Sequence, residues 1–253
     1  LIKCWRLAFK IVKVAEKKGS DLMNIIIKNA SELITCKGKA PKHGKEMADI
    51  GLIKNGCVVI ENDLIVDVGT TENILKKYNE NEYKIIDAEG KAVLPGFIDS
   101  HTHFIFGGYR ADEFSWRLKG DSYMSIMERG GGITSSVRAT RNTSLDEFIE
   151  IGKKRLDKFI AMGVTTVEGK SGYGLDKETE IKQLLAMKRL NEIHDVDIVP
   201  TFLGPHSVLP EYKGKEDQFI DYMIDVMKDV SKEKLAEFAD IFCEKNVFSV
   251  EQS

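Results

Sequence analysis

The sequence predicts an α/β protein in which a small β-sandwich is followed by the first half of a (β/α)8 barrel. Two observations support this prediction. Up to about Pro95, short segments rich in Ile and Val are separated by turn dipeptides such as Asn-Gly and Asn-Asp, which is typical of β-hairpins. After Phe97, strands alternate with amphipathic helices, which is typical of a parallel sheet with crossover helices.

Length and composition limit the classes of protein. The chain has 253 residues, enough for one large domain or two smaller ones, and its formal net charge of −3 argues against a nucleic-acid partner. No apolar run reaches the ~18 residues that a membrane span needs. The cysteines are far apart and form no CxxC pair, so we expect a reduced, cytoplasmic protein in which Cys243 is a buried small hydrophobic residue.

The chain is predicted to have three parts. Residues 1–22 carry six Lys or Arg against two acidic residues, and Met23 is a natural start before a strand. We interpret them as an extension of unknown role; a helix lying on a membrane surface is the alternative. Residues 23–95 are predicted to form the β-sandwich and residues 96–253 the partial barrel.

The elements after Phe97 are predicted in a regular order. The strands are "FIDSHTHFIF", "VTTVEGKSGYG", "VDIVPTFLGPH" and "DIFCE"; the helices are "SLDEFIEIGKKRLDKFIAMG", "DKETEIKQLLAMKRLNEIHD" and "EDQFIDYMIDVMKDVSKEKLAEFA". Polar residues end successive strands and no G-x-G-x-x-G follows the first one, which favours a barrel over a doubly wound sheet. Four strands are half of a barrel and the region is shorter than ~200 residues, so we expect a truncated barrel.

The stretch "LPGFIDSHTHFIF" contains the best candidate metal ligands. His101 and His103 are two residues apart at the end of a predicted strand, so their side chains should project from the same face. Neutral imidazole suits zinc and other first-row metals, and a metal with an open coordination position can activate water at neutral pH. The pair therefore predicts part of a hydrolytic metal site.

Five stretches together resemble the imidazolonepropionase family of the amidohydrolase superfamily. They are "HTHFIFGGYRADEF", "GGGITSSVRATR", "GVTTVEGKSGYGL", "PTFLGPHSVLPEY" and "FCEKNVFSVEQS", and they occur in family order over about residues 94–253. The resemblance implies a cytoplasmic zinc or iron enzyme of histidine degradation. It would hydrolyse 4-imidazolone-5-propanoate, a small-molecule substrate, to N-formimidoyl-L-glutamate, and neither nucleic acid nor a membrane is expected as a partner.

The resemblance also implies roles for individual residues. His101 and His103 match metal ligands, and Arg110, Tyr173 and His206 match substrate-binding residues. The remaining ligands of the family, a His and an Asp from later strands, and its other acid/base residues have no counterpart here. The chemistry of the residues agrees: Arg can bind a propionate in a bidentate manner, and His206, the candidate catalytic residue, can bond to or polarise the ring carbonyl.

Other features of the sequence leave alternatives open. The glycines flanking Tyr173 are expected to leave its phenol exposed. The helix after Gly130–Gly132 is expected to face an anion such as the substrate carboxylate. Glu168 and Glu244 could either orient the imidazoles or form barrel salt bridges.

Two other functions remain compatible with the sequence. The protein could be a different amidohydrolase, such as a cyclic deaminase or a dihydroorotase-like enzyme. Alternatively, a 253-residue chain could be an inactive half-barrel with unpaired strand edges. We expect the chain by itself to be inactive, because two histidines do not complete a catalytic zinc site, and a homodimer is a further expectation from the resemblance.

Overall fold

The computed structural model describes residues 24–253 except 39, 63, 123–124, 127–128 and 245–246. The extension predicted at residues 1–22 lies outside this part of the chain. The chain divides into two compact units, the first ending at Phe97 and the second comprising Ile98–Ser253. Within the residues that are described, no helix combines the length and the apolar character needed to cross a membrane.

The first unit contains a five-stranded sheet in the order β3-β2-β1-β4, with β5 also paired to β1. β1 pairs with β2 and β2 with β3 in antiparallel fashion, as the hairpin pattern predicts, whereas β4 and β5 run parallel to β1. The strands are β1 (Ile25–Ile34), β2 (Leu52–Glu61), β3 (Leu64–Thr70), β4 (Lys84–Asp87) and β5 (Ala92–Val93); 3₁₀ helices cover Gly44–Ala48 and Glu80–Glu82.

Successive strand residues point to opposite sides of a sheet, and consecutive residues of these strands are apolar. Both faces of this sheet therefore carry an apolar cluster. Ile25 belongs to one buried cluster, whereas Ile26 and Val59 belong to the other. Helix α1 (Thr71–Leu75) adds Ile74 to the second cluster. The described residues of this unit thus form one sheet with a helix on one face, and the second layer of the sandwich stays a prediction.

The second unit contains a four-stranded sheet in the order β6-β7-β8-β9. β7, β8 and β9 are parallel to one another, so the helices between them are crossover connections, as predicted. The elements are β6 (Phe97–Thr102), α2 (Ala111–Leu118), α3 (Ile133–Arg141), α4 (Leu145–Ala161), β7 (Val164–Lys170), α5 (Lys177–Ile193), β8 (Asp197–Phe202), a 3₁₀ helix (Pro210–Tyr212), α6 (Glu216–Lys232) and β9 (Phe238–Ala239).

The bounds of α4 follow from local chemistry. The Ser144 side chain accepts a hydrogen bond from the Glu147 amide, and the Glu147 carboxylate accepts one from the Ser144 amide, forming a capping box. At the other end, Gly163 has a φ of 82°, which glycine adopts without steric cost. Both ends agree with the sequence prediction.

Helix α6 is shorter than predicted, because it ends at Lys232 rather than continuing to Ala239. Lys234 has a φ of 53°, and the amides of Lys234 and Leu235 donate to the carbonyls of Ser231 and Val230. This is a Schellman motif in which Lys occupies the position where Gly is usual. The sequence lacks the glycine signal for this end.

The chain after α6 also departs from the prediction. The last strand is Phe238–Ala239 and not Asp240–Glu244. Cys243 is exposed, so the prediction that it is buried was wrong. The residues of "DIFCE", 240–244, follow the end of this strand and are not part of it.

Replacing Lys234 with glycine is expected to stabilise the chain. An L residue in the left-handed region costs about 1–2 kcal/mol, part of which the greater chain entropy of glycine offsets. Lys234→Gly should therefore raise the free energy of unfolding by about 0.5–1 kcal/mol in urea denaturation. Lys232→Gly, an exposed change inside the same last turn, should lower it by a similar amount. Equal effects of the two substitutions would contradict the assignment of this C-terminus.

Candidate active site

The backbone after β6 leaves the sheet at Thr102, earlier than the predicted strand "FIDSHTHFIF". Side chains of two helices bind the carbonyl groups that follow. Arg155 of α4 donates to the carbonyls of Phe104 (2.8 Å) and Phe106 (3.3 Å), and Gln183 of α5 donates to the Ile105 carbonyl (2.6 Å). These hydrogen bonds take the place of those to a neighbouring strand. They satisfy buried carbonyl groups and fix the segment directly after His103.

Four of the predicted site residues meet in one group of rings, which we call the ring cluster: His101, His103, Tyr173 and His206. His103 stacks on His206 with a centroid distance of 4.7 Å and meets Tyr173 edge to face at 4.9 Å. His101 lies 6.3 Å from His103, and Tyr173 lies 5.3 Å from His206. Three strand ends therefore bring their polar residues together, as a parallel sheet predicts.

The local environment keeps His103 neutral. Burial, with a further contribution from His206 and His101, lowers the pKa of His103 from its ordinary value to about 3. Its Nδ1 atom is buried and has no hydrogen-bond partner among the described residues. A neutral imidazole with an unused, buried nitrogen is the form that binds a transition metal.

His206 is held in one tautomer by the backbone. Its Nδ1 atom lies 2.8 Å from the carbonyl oxygen of Gly172. A carbonyl can only accept a hydrogen bond, so Nδ1 carries the hydrogen and Nε2 is the atom left to act as an acceptor. Burial lowers the pKa of His206, and the hydrogen bond to Gly172 opposes this effect.

Tyr173 lies deeper than predicted. The sequence predicts an exposed phenol, but the residue is half-buried and its ring packs against Phe106 at 5.5 Å as well as against the two histidines. The loop that carries it is thus part of the site wall.

Among the described residues, Arg110 is not one of those that contact the ring cluster. It precedes α2, and its guanidinium lies 3.8 Å from the carboxylate of Glu113. Glu113 in turn accepts a hydrogen bond from the Gly132 amide at 2.7 Å. The anion at the start of α3 is therefore a carboxylate of the chain itself, in the place where a substrate carboxylate was expected.

An ion-pair network around the buried Lys170, beside the cluster, was missed by the sequence analysis. Lys170, 4% exposed, donates to Glu168 (2.7 Å) and Asp240 (2.8 Å), and the Thr201 hydroxyl also donates to Glu168. Burial lowers the pKa of Lys170, but these two bonds raise it above its ordinary value overall. Of the two readings left open for Glu168, these contacts favour the salt bridge.

The site fits a metal ion only in part. His101 and His103 offer two neighbouring imidazoles, and the unpartnered nitrogen of His103 is suited to coordination. The described residues contain no group of three or more His, Cys, Asp or Glu side chains that could hold a metal. A catalytic zinc site uses three protein ligands, so these histidines would supply two of them.

The chain is similar in sequence to known proteins over most of its length. A family model described as "Amidohydrolase family" matches residues 84–131. The chain is 58% identical to an imidazolonepropionase of Clostridium tetani over 238 residues, covering 94% of this chain and 56% of that protein. It is 54% identical to an imidazolonepropionase of Parabacteroides distasonis over 230 residues, covering 90% of this chain and 55% of that protein. The resemblance predicted from the five motifs is confirmed, and the chain spans about half the length of the curated relatives it matches.

A solved structure supports the fold. The E. coli guanine deaminase matches 92% of this chain and 48% of its own, with a TM-score of 0.51 and 14% identity. At this identity the likeness concerns the fold alone. It confirms the predicted α/β architecture with a partial barrel.

Removing the charge of Lys170 is expected to be strongly destabilising. Lys170→Met leaves Glu168 and Asp240 without their shared cation; because these side chains are 22% and 42% exposed, we expect a loss of about 1–3 kcal/mol. Urea denaturation measures the loss. Lys228→Met, which breaks an exposed pair with Asp225, should have a much smaller effect. A loss no larger than that of the control would show that the network does not stabilise the sheet.

Proposed function

We propose that this chain carries part of the active site of a metal-dependent hydrolase that opens the ring of 4-imidazolone-5-propanoate to give N-formimidoyl-L-glutamate. The observation that carries the proposal is the ring cluster, in which His101, His103, Tyr173 and His206 come together from three strand ends. Similarity to imidazolonepropionases over nine-tenths of the chain supports the substrate.

Hydrolysis of this substrate breaks the lactam C–N bond. The hydroxyl group of water goes to the carbonyl carbon, and the released nitrogen takes a proton. The substrate therefore presents a carbonyl oxygen, ring nitrogens and a propionate tail, each of which needs a different partner.

Arg110 is our proposed partner for the propionate. Its planar guanidinium can bind a carboxylate in a bidentate manner, which a lysine cannot do. At 3.8 Å its present contact with Glu113 is a loose ion pair, and the side chain is about a third exposed (38%). It is thus accessible to an anionic ligand.

His206 and Tyr173 are our proposed partners for the ring, and His206 is our candidate catalytic residue. Neutral His206 with its hydrogen on Nδ1 presents an acceptor at Nε2, so it is suited to accept a bond from a ring N–H group. This departs from the sequence-based role, in which His206 bonds to or polarises the ring carbonyl, because an acceptor at Nε2 cannot donate to a carbonyl oxygen. The Tyr173 hydroxyl can donate or accept, and its ring closes one side of the cluster.

His101 and His103 are our proposed metal ligands, and zinc or iron is our proposed metal. When bound, such a metal supplies Lewis-acid and water-activating chemistry. The part of the chain described here contributes two imidazoles next to the substrate-binding residues. We expect no turnover by the 253-residue chain alone, because its described residues lack the third ligand that a catalytic site needs.

We further propose a cytoplasmic protein that acts on a small molecule, as a homodimer, without a nucleic-acid or membrane partner. The dispersed free cysteines Cys36, Cys57 and Cys243 support a reducing compartment. The formal net charge of −3 supports the absence of nucleic acid.

Arg110 should affect substrate binding more than turnover. In the full-length enzyme, Arg110→Ala should raise KM for 4-imidazolone-5-propanoate about 10–100-fold, the effect of losing a charged hydrogen bond, and Arg110→Lys should recover part of it. Arg189→Ala is the matched control, since Arg189 also lies 3.8 Å from a glutamate three residues later but on an exposed helix face. An unchanged KM would contradict the role of Arg110. Turnover of a dihydroorotase-like or deaminase substrate in place of this one would contradict the proposed function.

Activity should require a bound metal, and metal binding should require His103. A chelator should inactivate the full-length enzyme, and added zinc or iron should restore it. His103→Ala should lower both bound metal and activity by more than about 100-fold, because even the outer partners of metal ligands are worth 10–100-fold. Metal content per chain is measured by elemental analysis, with His43→Ala, a change in an exposed loop residue, as the control. Full metal content in His103→Ala would rule out this ligand.

A further inference from the structure

A fully buried carboxylate lies directly behind the loop that carries Tyr173. Glu180, in the first turn of α5, is 0% exposed. Its two oxygens accept hydrogen bonds from three backbone amides, those of Gly172 (2.9 Å), Gly174 (2.8 Å) and Leu175 (2.9 Å). One side chain therefore binds three of the four backbone amides of residues 172–175.

The backbone of the loop explains why these amides need a partner. Gly172 and Leu175 have φ values of 104° and 55°, so the chain turns through left-handed conformations and its amides point inward. Such a concave group of amides binds an anion, and buried amides without a partner are costly. Gly172 is also confined, because a Cβ atom there would lie 2.7 Å from the Leu203 carbonyl oxygen. The anion that fills this concavity is Glu180 itself.

The same turn connects Glu180 to two of the ring partners of His103, namely Tyr173 and His206. Tyr173 lies between two of the anchored amides, and its ring contacts His103 at 4.9 Å. The carbonyl of Gly172 accepts the Nδ1 hydrogen of His206 at 2.8 Å. A shift of the turn would therefore move the phenol and release the tautomer of His206 at the same time.

We propose that Glu180 is a positioning residue, which fixes the tautomer of His206 and the place of Tyr173 by anchoring the turn Gly172–Leu175. Its importance for catalysis rests on the proposed function, whereas its effect on the two rings does not. Glu180 touches neither ring in this role; it acts through the backbone.

Glutamine is the informative substitution at this position. Every hydrogen-bond partner of Glu180 described above, together with the Ser171 hydroxyl, is a donor, and an ionised carboxylate offers only acceptors. Burial raises the pKa of Glu180 above its ordinary value overall, although these donors act in the opposite direction and favour the ionised form. Glu180→Gln keeps the volume but places an NH₂ group against a backbone amide. The turn then loses an anchor without the creation of a cavity.

The tautomers are read from long-range ¹H–¹⁵N NMR spectra of the histidine rings in the full chain, with the metal content held equal. In the native protein His206 should carry its hydrogen on Nδ1. His194 is an internal reference of the opposite kind, because its Nδ1 accepts from the Val196 amide at 3.0 Å and the hydrogen must be on Nε2. Glu180→Gln should convert His206 to a mixture of tautomers and leave His194 unchanged.

Glu113→Gln is the matched control. Glu113 is also a buried carboxylate that binds a backbone amide, but it anchors Gly132 and not the turn at Tyr173. It should leave the spectrum of His206 as in the native protein. An unchanged His206 in Glu180→Gln, or an equal change in Glu113→Gln, would overturn the proposal.

Hydrogen exchange in the native protein provides a test that does not depend on the folding of a variant. The amides of Gly172, Gly174 and Leu175 should exchange slowly although they lie in a loop, and rapid exchange at all three would overturn the anchoring role. In the full-length enzyme, Glu180→Gln should lower kcat/KM about 10–100-fold at unchanged metal content. If the native enzyme does not consume 4-imidazolone-5-propanoate, the proposed function fails, while the NMR and exchange results still decide the role of Glu180.

Discussion

The site depends on one constraint: the backbone that leaves each parallel strand is buried, and its polar groups have no neighbouring strand to bind. Each must find a partner, because a buried amide or carbonyl without one costs about 1–3 kcal/mol. The helices supply these partners. Arg155 and Gln183 bind the carbonyls after His103, and Glu180 binds the amides around Tyr173. The positions of the rings thus follow from the hydrogen bonds of the backbone that carries them.

This solution places polar side chains in the core-facing stripe of α5. Glu180 and Gln183 are three residues apart and precede the apolar residues Leu184 and Met187 on the same buried face. Together they bind two loops that meet at the ring cluster, although the Oε1 atom of Gln183 is buried without a hydrogen-bond partner among the described residues. A helix that a sequence pattern marks as a crossover therefore also positions the site.

Much of this arrangement could be predicted from the sequence, where the causes are local. The two-residue period of a strand brings His101 and His103 together, and the capping residues fix the start of α4. The predicted end of α6 was wrong because Lys234 adopts a left-handed conformation that glycine usually occupies. The pairing of Lys170 with Asp240 joins residues 70 positions apart, so no local pattern contains it.

The same long-range contacts set the electrostatics of the site. Lys170 lowers the pKa of both His103 and His206, whereas Asp240 raises that of His206. Lys170 is held between two carboxylates, and burial is the main cause of the lowered pKa of His103 and His206. Neutral imidazoles add no charge to a bound cation, so such a cation would keep its full attraction for an anionic substrate and for hydroxide. With one ammonium and two carboxylates, the network beside the cluster has a formal net charge of −1, so it pairs the buried Lys170 and leaves a negative charge that favours a cation bound at the site.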